Sequence, residues 1–359
     1  VRFRRIDWVI ESPYPHDSAL LPAVHRELGV PLTAHYLREQ TGLHPWTSNM
    51  RTGYDSRIMA HPIDRELLRR LSRQQDALLI TNCWHDPTVQ LAVLGLIAAR
   101  RPYVVLNDAL DESKHRPVLK RVARALFLRL LFRHASAVLA TSTPAVEAFA
   151  ALGCPADRIS LFPLCIDTGR FPFLPATKQP QLVFGSCARL DHRKGMDLAL
   201  RALAAAFGDD HQSFEYRIAG DGPFRSRLES LATTLGIRDN VTFLGWQDPA
   251  ALPAFYQGLH YLLHPSWFES YGIVVVEAMS SGAVVVASSA TAVARDVIIP
   301  DQSGFLHPAG DLARLTTIIR SLRESPDEQR LRLAQSARVF AEQRTATRAA
   351  RRLGEILAR

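Results

Sequence analysis

Apolar residues along this chain gather in short unbroken runs, separated by longer stretches with helical periodicity. Residues 77–81, 103–106 and 137–140 are such runs, and 5–12 and 159–163 extend the series. Runs of this kind predict strands covered on both faces, as in a parallel sheet. Between them, 18–28, 89–99, 116–134 and 144–152 carry the period of helices, the last closed by Gly153. Residues 40–63 are rich in Thr, Gly, Pro, Trp, Asn and His with weak periodicity, and read as a long loop or short irregular helices.

The alternation restarts after residues 166–180, which hold three prolines and no period and read as a linker. Strands are predicted at 182–185, 214–219, 241–244, 260–264 and 283–287, with a short run at 304–306. Helices are predicted at 195–207, at 250–256, 271–281 and 309–323, and between Pro223 and Leu235. The Arg- and Ala-rich tail, 327–359, reads as helical. Strands alternating with helices imply doubly wound α/β layers. A length of 359 residues suits two of them: 1–165 and 181–336, with 337–359 as a terminal helix.

Composition narrows the class. At 47% hydrophobic and 22% charged residues, with mean hydropathy −0.03, the chain is ordinary globular material. No apolar stretch approaches the roughly 20 residues that span a bilayer. The first residues lack the apolar core of a signal peptide, which predicts a cytoplasmic location. Cys83, Cys154, Cys165 and Cys187 make no metal-type spacing and read as thiols of a reducing compartment.

Charge is uneven. Residues 1–165 carry 21 Lys and Arg against 15 Asp and Glu, the remainder 22 against 20. A basic first half favours an anionic partner. Nucleic acid is not expected, since no finger spacing or aromatic sheet motif is present. Between Ser113 and Val146 there are seven Lys and Arg and no acid, with Arg116, Lys120 and Arg124 on one i, i+4, i+8 row. A basic helix over 116–134 can lie on an anionic membrane surface, although the same charges suit the solvated face of a core helix.

Candidate chemistry lies in the second half. Arg189 and Lys194 follow a predicted strand, and loops leaving strand C-termini are where doubly wound sheets bind ligands. Two cations around a tight turn can bracket two phosphates. Downstream, Glu269, Ser270, Tyr271, Gly272 and Ile273 open a helix whose free N–H groups can hold an anion. Glu277 lies about two turns inside it, and a carboxylate can accept hydrogen bonds from a vicinal diol. Each feature also has a plain structural reading, as a charged turn or an acid beside a helix start. Asp209-Asp210-His211 reads as a turn, and neither a metal nor a cofactor is predicted.

Taken in order, Arg189 with Lys194, Gly220-Asp-Gly-Pro223, Val241-Thr-Phe-Leu-Gly245 and Pro265-Ser-x-x-Glu269-x-x-Gly272-x-x-x-x-Glu277-Ala-Met-x-x-Gly282 resemble the retaining glycosyltransferases of family 4. The resemblance covers about residues 138–310. It implies the GT-B fold, two Rossmann-like doubly wound domains facing a central cleft, with the terminal helix returning to the first domain. It implies that Arg189 and Lys194 hold a donor diphosphate without a metal, that Glu269 contacts the donor sugar and Glu277 the nucleotide ribose. Ser270, Tyr271, Gly272 and Ile273 would complete the phosphate site, with Gly220, Phe243 and Leu244 along the nucleotide.

The first half departs from the family pattern. Relatives often carry a Gly-Gly loop after the first strand, where this chain has Glu11-Ser-Pro-Tyr-Pro-His16. They often carry a His where this chain has Asn107-Asp108. His16, His85, Asn107 and Asp108 are therefore the acceptor-side candidates. The expected activity is retaining transfer of a sugar from a nucleoside diphosphate sugar to a saccharide or lipid-linked acceptor, in the cytoplasm or on the inner face of its membrane. Alternatives are a soluble small-molecule acceptor, a GT-B nucleotide-sugar epimerase and a non-catalytic binding module.

Overall fold

The structure, a computed structural model, describes residues 3–39, 53–109, 117–177, 179–210 and 212–358. Residues 40–52 of the expected loop, Arg116 of the basic row and His211 of the expected turn lie outside the described residues. The chain divides into two units: residues up to Ile166 with those from Arg344 onward, and Asp167–Gln343.

The first unit is built on β1 (Arg5–Ile10), β2 (Leu32–Tyr36), β3 (Asp55–Ile58), β4 (Ala77–Thr81), β5 (Tyr103–Asn107), β6 (Ala137–Ala140) and β7 (Ile159–Leu161). All pair in parallel, in the order β3-β2-β1-β4-β5-β6-β7. The central strands β4, β5 and β6 are almost wholly apolar because helices cover both faces. Val9, Leu79 and Val105 point to a layer of α2 (Arg65–Arg73), α3 (Pro87–Ala98), α4 (Val118–His134) and α5 (Thr143–Ala151). Trp8, Ile80 and Val104 point the other way, to α1 (Pro15–Leu28) and the last helix of the chain.

β2, β3 and α2 are absent from the sequence reading, for a physical reason. β2 is fully buried yet carries Thr33 and His35. His35 Nε2 lies 2.8 Å from Asp7 Oδ1, and Arg57 Nε donates to His35 Nδ1 at 2.9 Å. Arg70 and Arg5 bring their guanidinium groups to the same Asp7 carboxylate. A buried ionic cluster thus replaces the apolar side chains that mark a strand. β3 is a mostly exposed edge strand and never needed them.

The second unit holds β8 (Leu182–Cys187), β9 (Phe214–Ala219), β10 (Val241–Gly245), β11 (Tyr261–His264), β12 (Val284–Ser288) and β13 (Phe305–His307). They run parallel in the order β10-β9-β8-β11-β12-β13. The strand order reverses between β8 and β11, a topological switch point. α6 (Met196–Phe207), α7 (Arg225–Thr234) and α11 (Leu312–Glu324) share one core. α9 (Ile273–Ser281) packs on α8 (Leu252–Gln257), α10 (Ala292–Val297) and α12 (Asp327–Glu342).

The stretch expected as a linker belongs to the second unit from Asp167 onward. Ser280 Oγ donates to the Phe171 carbonyl at 2.9 Å, and Leu174 N to the Ser281 carbonyl at 3.1 Å. The terminal segment 337–359 is not one helix. α12 ends at Glu342, and α13 (Ala346–Ala358) buries Ala350, Leu353 and Ile356 against α1. Where the chain changes unit, Ile166 N donates to the Arg344 carbonyl at 2.9 Å.

α4 also differs from its expected face. Arg124 does not join an outward basic row: it is half-buried, its guanidinium 5.1 Å from the Trp84 ring centroid. No helix among the described residues is long and apolar enough to cross a membrane.

Candidate active site

In a parallel sheet all strand C-termini share one edge, so the loops after β8 and β11 emerge side by side at the switch point. After β8 the chain passes Arg189 and Asp191, makes a 3-10 turn over His192–Lys194 and enters α6 through Gly195. Gly195 has φ +66°, and a Cβ there would lie 2.2 Å from the Pro265 carbonyl oxygen. Only glycine lets the β8 loop rest on the β11 loop at this point. Trp267 N, from the second loop, donates to the Arg193 carbonyl at 2.8 Å and ties the two together.

That close approach sets the central ion pair. Lys194 Nζ donates to Glu269 Oε2, and both side chains are largely buried. Glu269 is fixed by its own backbone, its N–H donating to Ala290 O and its carbonyl accepting from Ala292 N, each at 3.1 Å. His264 Nε2 stands 3.9 Å from the same carboxylate oxygen. Burial alone would raise the Glu269 carboxyl; Lys194 and His264 outweigh it and hold the group below the usual carboxylate range. Burial pushes His264 down to about 4, against the pull of Glu269. Glu269 is thus held as an anion by its pairing with Lys194. Arg189, half-buried in the same loop, makes no side-chain hydrogen bond or ion pair among the described residues.

Three residues on, Gly272 adopts φ +95° and starts α9 with no side-chain cap on its first turn. A Cβ there would lie 2.5 Å from Thr291 Cγ2. The uncapped N–H groups are a potential anion site. Ser270 and Ile273 are half-buried beside it. Tyr271 is buried, its carbonyl accepting from Val293 N at 2.9 Å, so its side chain belongs to the core.

Glu277 is buried inside α9 and accepts a 2.8 Å hydrogen bond from Tyr256 Oη. Burial pushes its carboxyl up to about 7; Tyr256 and Arg170 pull the other way. The Cys187 thiol, at the end of β8, shares this corner and is pushed up to about 12 by burial and by Glu277. Sequence reasoning missed Tyr256, His264 and Cys187. A histidine closing a central parallel strand was a usable signal for His264. Tyr256 and Cys187 gave none.

Gly220 ends β9 with φ +138°, where a Cβ would lie 1.9 Å from the Ala188 carbonyl oxygen, and its N–H donates to Gly245 O at 2.7 Å. The C-termini of β8, β9 and β10 are thereby joined. Phe243 lies under two guanidinium groups, Arg225 at 5.9 Å and Arg238 at 5.7 Å from its centroid. Its neighbours Leu244 and Trp246 are exposed.

In the first unit, the candidates follow β1, β4 and β5 at that sheet's C-terminal edge. His16, in the first turn of α1, stacks on Tyr14 at 5.5 Å, with Nε2 3.5 Å from Asp17 Oδ1. Asp17 is buried and its carboxyl raised by that burial, against His16. His85 is exposed, edge-on to Trp84. Asn107 Oδ1 accepts from Asp108 N at 2.9 Å, while its Nδ2 is buried without a partner among the described residues. Thr141 Oγ1 donates to Asp108 at 2.8 Å. Among the described residues no group of three His, Cys, Asp or Glu could hold a metal ion.

Both units match known protein families. The family described as glycosyl transferases group 1 matches residues 170–340, and the glycosyl transferase 4-like domain matches 59–165. A 2-deoxystreptamine glucosyltransferase of Streptomyces kanamyceticus is 28% identical over 67% of this chain and 67% of its own length. A GDP-mannose-dependent alpha-mannosyltransferase of Mycobacterium tuberculosis is 31% identical over 60% of this chain and 57% of its own. Among further curated relatives the chain spans 25% of an uncharacterised glycosyltransferase of Methanocaldococcus jannaschii, and 47% of a putative colanic acid biosynthesis glycosyltransferase of Escherichia coli. Of solved structures, Anabaena HepE in complex with UDP and glucose superposes with TM-score 0.76 at 20% identity, covering 99% of each chain. The lipopolysaccharide glycosyltransferase WaaG superposes with TM-score 0.70 at 15% identity, over 98% of this chain and 99% of its own. With the two models matching successive parts of the chain and a parallel sheet behind each, the chain belongs to the GT-B glycosyltransferases that combine a glycosyl transferase 4-like domain with a glycosyl transferases group 1 domain.

Proposed function

We propose that this chain transfers a sugar from a nucleoside diphosphate sugar to an acceptor hydroxyl, with retention and without a bound metal. One observation carries the reading: Arg189, the Lys194–Glu269 pair and the uncapped start of α9 meet at one switch point. Two cations and a helix N-terminus suit a diphosphate, and a fixed carboxylate beside them suits sugar hydroxyls. Glu277, with one oxygen held by Tyr256, suits the two hydroxyls of a ribose. The solved neighbour Anabaena HepE is named with UDP and glucose bound, which supports the donor class.

In the proposed reaction, the bond between the sugar's anomeric carbon and the diphosphate oxygen breaks. The acceptor oxygen bonds to that carbon on the same face. Its proton passes to a phosphate oxygen of the departing nucleoside diphosphate. Arg189, Lys194 and the first turn of α9 neutralise the charge that grows on the leaving group, usually the largest catalytic contribution. Glu269 orients the sugar as the anomeric carbon gains oxocarbenium character.

For the acceptor we propose a lipid-linked saccharide, with the protein peripheral on the cytoplasmic membrane. The relatives named for colanic acid and amylovoran biosynthesis support this. The Streptomyces kanamyceticus relative, named for 2-deoxystreptamine, favours a second reading in which the acceptor is a small molecule.

A panel of UDP-, GDP-, ADP- and dTDP-sugars read by thermal shift tests the donor site. At 100 times its Kd the true donor adds about 2.7 kcal/mol of stability. No shift with any member overturns the reading. Nucleotide release without acceptor indicates an epimerase, and a shift without turnover indicates a binding module.

A further inference from the structure

Large aliphatic side chains on a helix normally face the core, and the inner face of α4 obeys this with Leu128, Leu131 and Phe132 fully buried. Its N-terminal half does not. Leu119 is 81% exposed, Val118 66%, Leu126 61% and Val122 49%. The spacings 118/122/126 and 119/122/126 place these four on one side, away from Leu128 and Leu131. Further along the same side stand the exposed Arg129 and Arg133, while the exposed Lys120 and Arg121 point to other sides of the helix. No Asp or Glu occurs from Ser113 to Val146. α3, in the same layer, exposes Leu91 and Leu94.

The charge pattern selects the occupant. An isologous contact with a second copy would bring Arg129 and Arg133 of both copies into one interface with no acid to pair them, which is repulsive. An apolar stripe continued by two arginines, with no acid on the helix, complements an interface that is apolar within and anionic at its rim. We propose that the outward face of α4, extended by Leu91 and Leu94 of α3, seats on an anionic phospholipid bilayer. Val118, Leu119, Val122 and Leu126 enter the boundary between headgroups and acyl chains, and Arg129 and Arg133 meet lipid phosphates. This deepens the peripheral placement proposed above and rests on it. The element responsible is an apolar stripe, not the basic row that the sequence implied.

Cosedimentation with phosphatidylglycerol/phosphatidylcholine vesicles and with pure phosphatidylcholine, at low and high salt, tests it. Wild type binds the anionic vesicles, and part of that binding survives high salt. Arg129→Ala with Arg133→Ala lowers partitioning at low salt by about thirtyfold. Leu119→Glu with Leu126→Glu removes the salt-resistant part. Because all four positions are exposed, the melting temperature and nucleotide binding stay at wild-type values. If wild type ignores anionic vesicles, the peripheral placement falls and this face with it. If it binds them and the variants bind equally, the face is wrong and the placement stands. A dimer in sedimentation equilibrium that Leu119→Glu abolishes overturns the proposal in favour of self-association.

Discussion

Glu277 shows how much a single side chain contributes and costs. Its carboxyl is raised to about 7 in the fold, against an ordinary value near 4.5. The raised group favours the folded state fully below the unfolded value, and that contribution is lost as pH rises through about 7. Above pH 7 the empty protein therefore carries a burial penalty of up to roughly 3 kcal/mol. Glu277→Gln is expected to raise the melting temperature of the unliganded protein at pH 8 while weakening nucleotide binding. Calorimetric titration of nucleotide should show affinity rising through pH 7 in the wild type. Tyr256→Phe removes a hydrogen bond that lowers the carboxyl, so the midpoint should move to higher pH. A midpoint unchanged by Tyr256→Phe removes Tyr256 from the account. At the neighbouring pair, Lys194→Ala should cut turnover by about 100- to 1000-fold, by analogy with loss of one charge-stabilising donor. Nucleotide release in the presence of acceptor measures it. These pairings were only half visible beforehand. Lys194 and Glu269 could each be singled out from local pattern, but their partnership spans 75 positions and depends on Gly195 lying against Pro265. Tyr256 sits in a helix of ordinary core residues and carries no signal at all.

The elements that position the site were the most legible. β8 with α6, and β11 with α9, have apolar runs bounded by glycine and proline, so their ends fall within a few residues of expectation. Elements built on polar burial or exposure were not legible: β2 hides a His–Asp–Arg cluster, and β3 has almost no apolar face. The start of α9 yields a test at this scale. Gly272→Ala meets both a left-handed φ and the Thr291 methyl, and should destabilise by about 2 kcal/mol or more. Adding Thr291→Ser removes the methyl and should recover the steric part alone. Urea midpoints of the single and double variants separate the two contributions; identical midpoints would show that backbone strain is the whole effect.

At the scale of the whole molecule, the chain leaves the first unit after Ile166 and re-enters it at Arg344. α13 then fills a groove on α1, with Arg351 paired to Glu27 and Gly354 packed against Leu28. Deleting 344–359 should lower the thermal transition of the first unit and leave that of Asp167–Gln343 in place. Nucleotide, if bound as proposed, should still raise the latter transition.

That re-entry also fixes an order of manufacture. A ribosome releases all of Asp167–Gln343 before it releases α13. The second unit can therefore close its core during synthesis, while the first must wait, its α1 face open, for α13 to emerge. An interrupted translation product would carry one finished unit and one unfinished one, with Leu20, Leu21 and Val24 as apolar surface for chaperones to recognise.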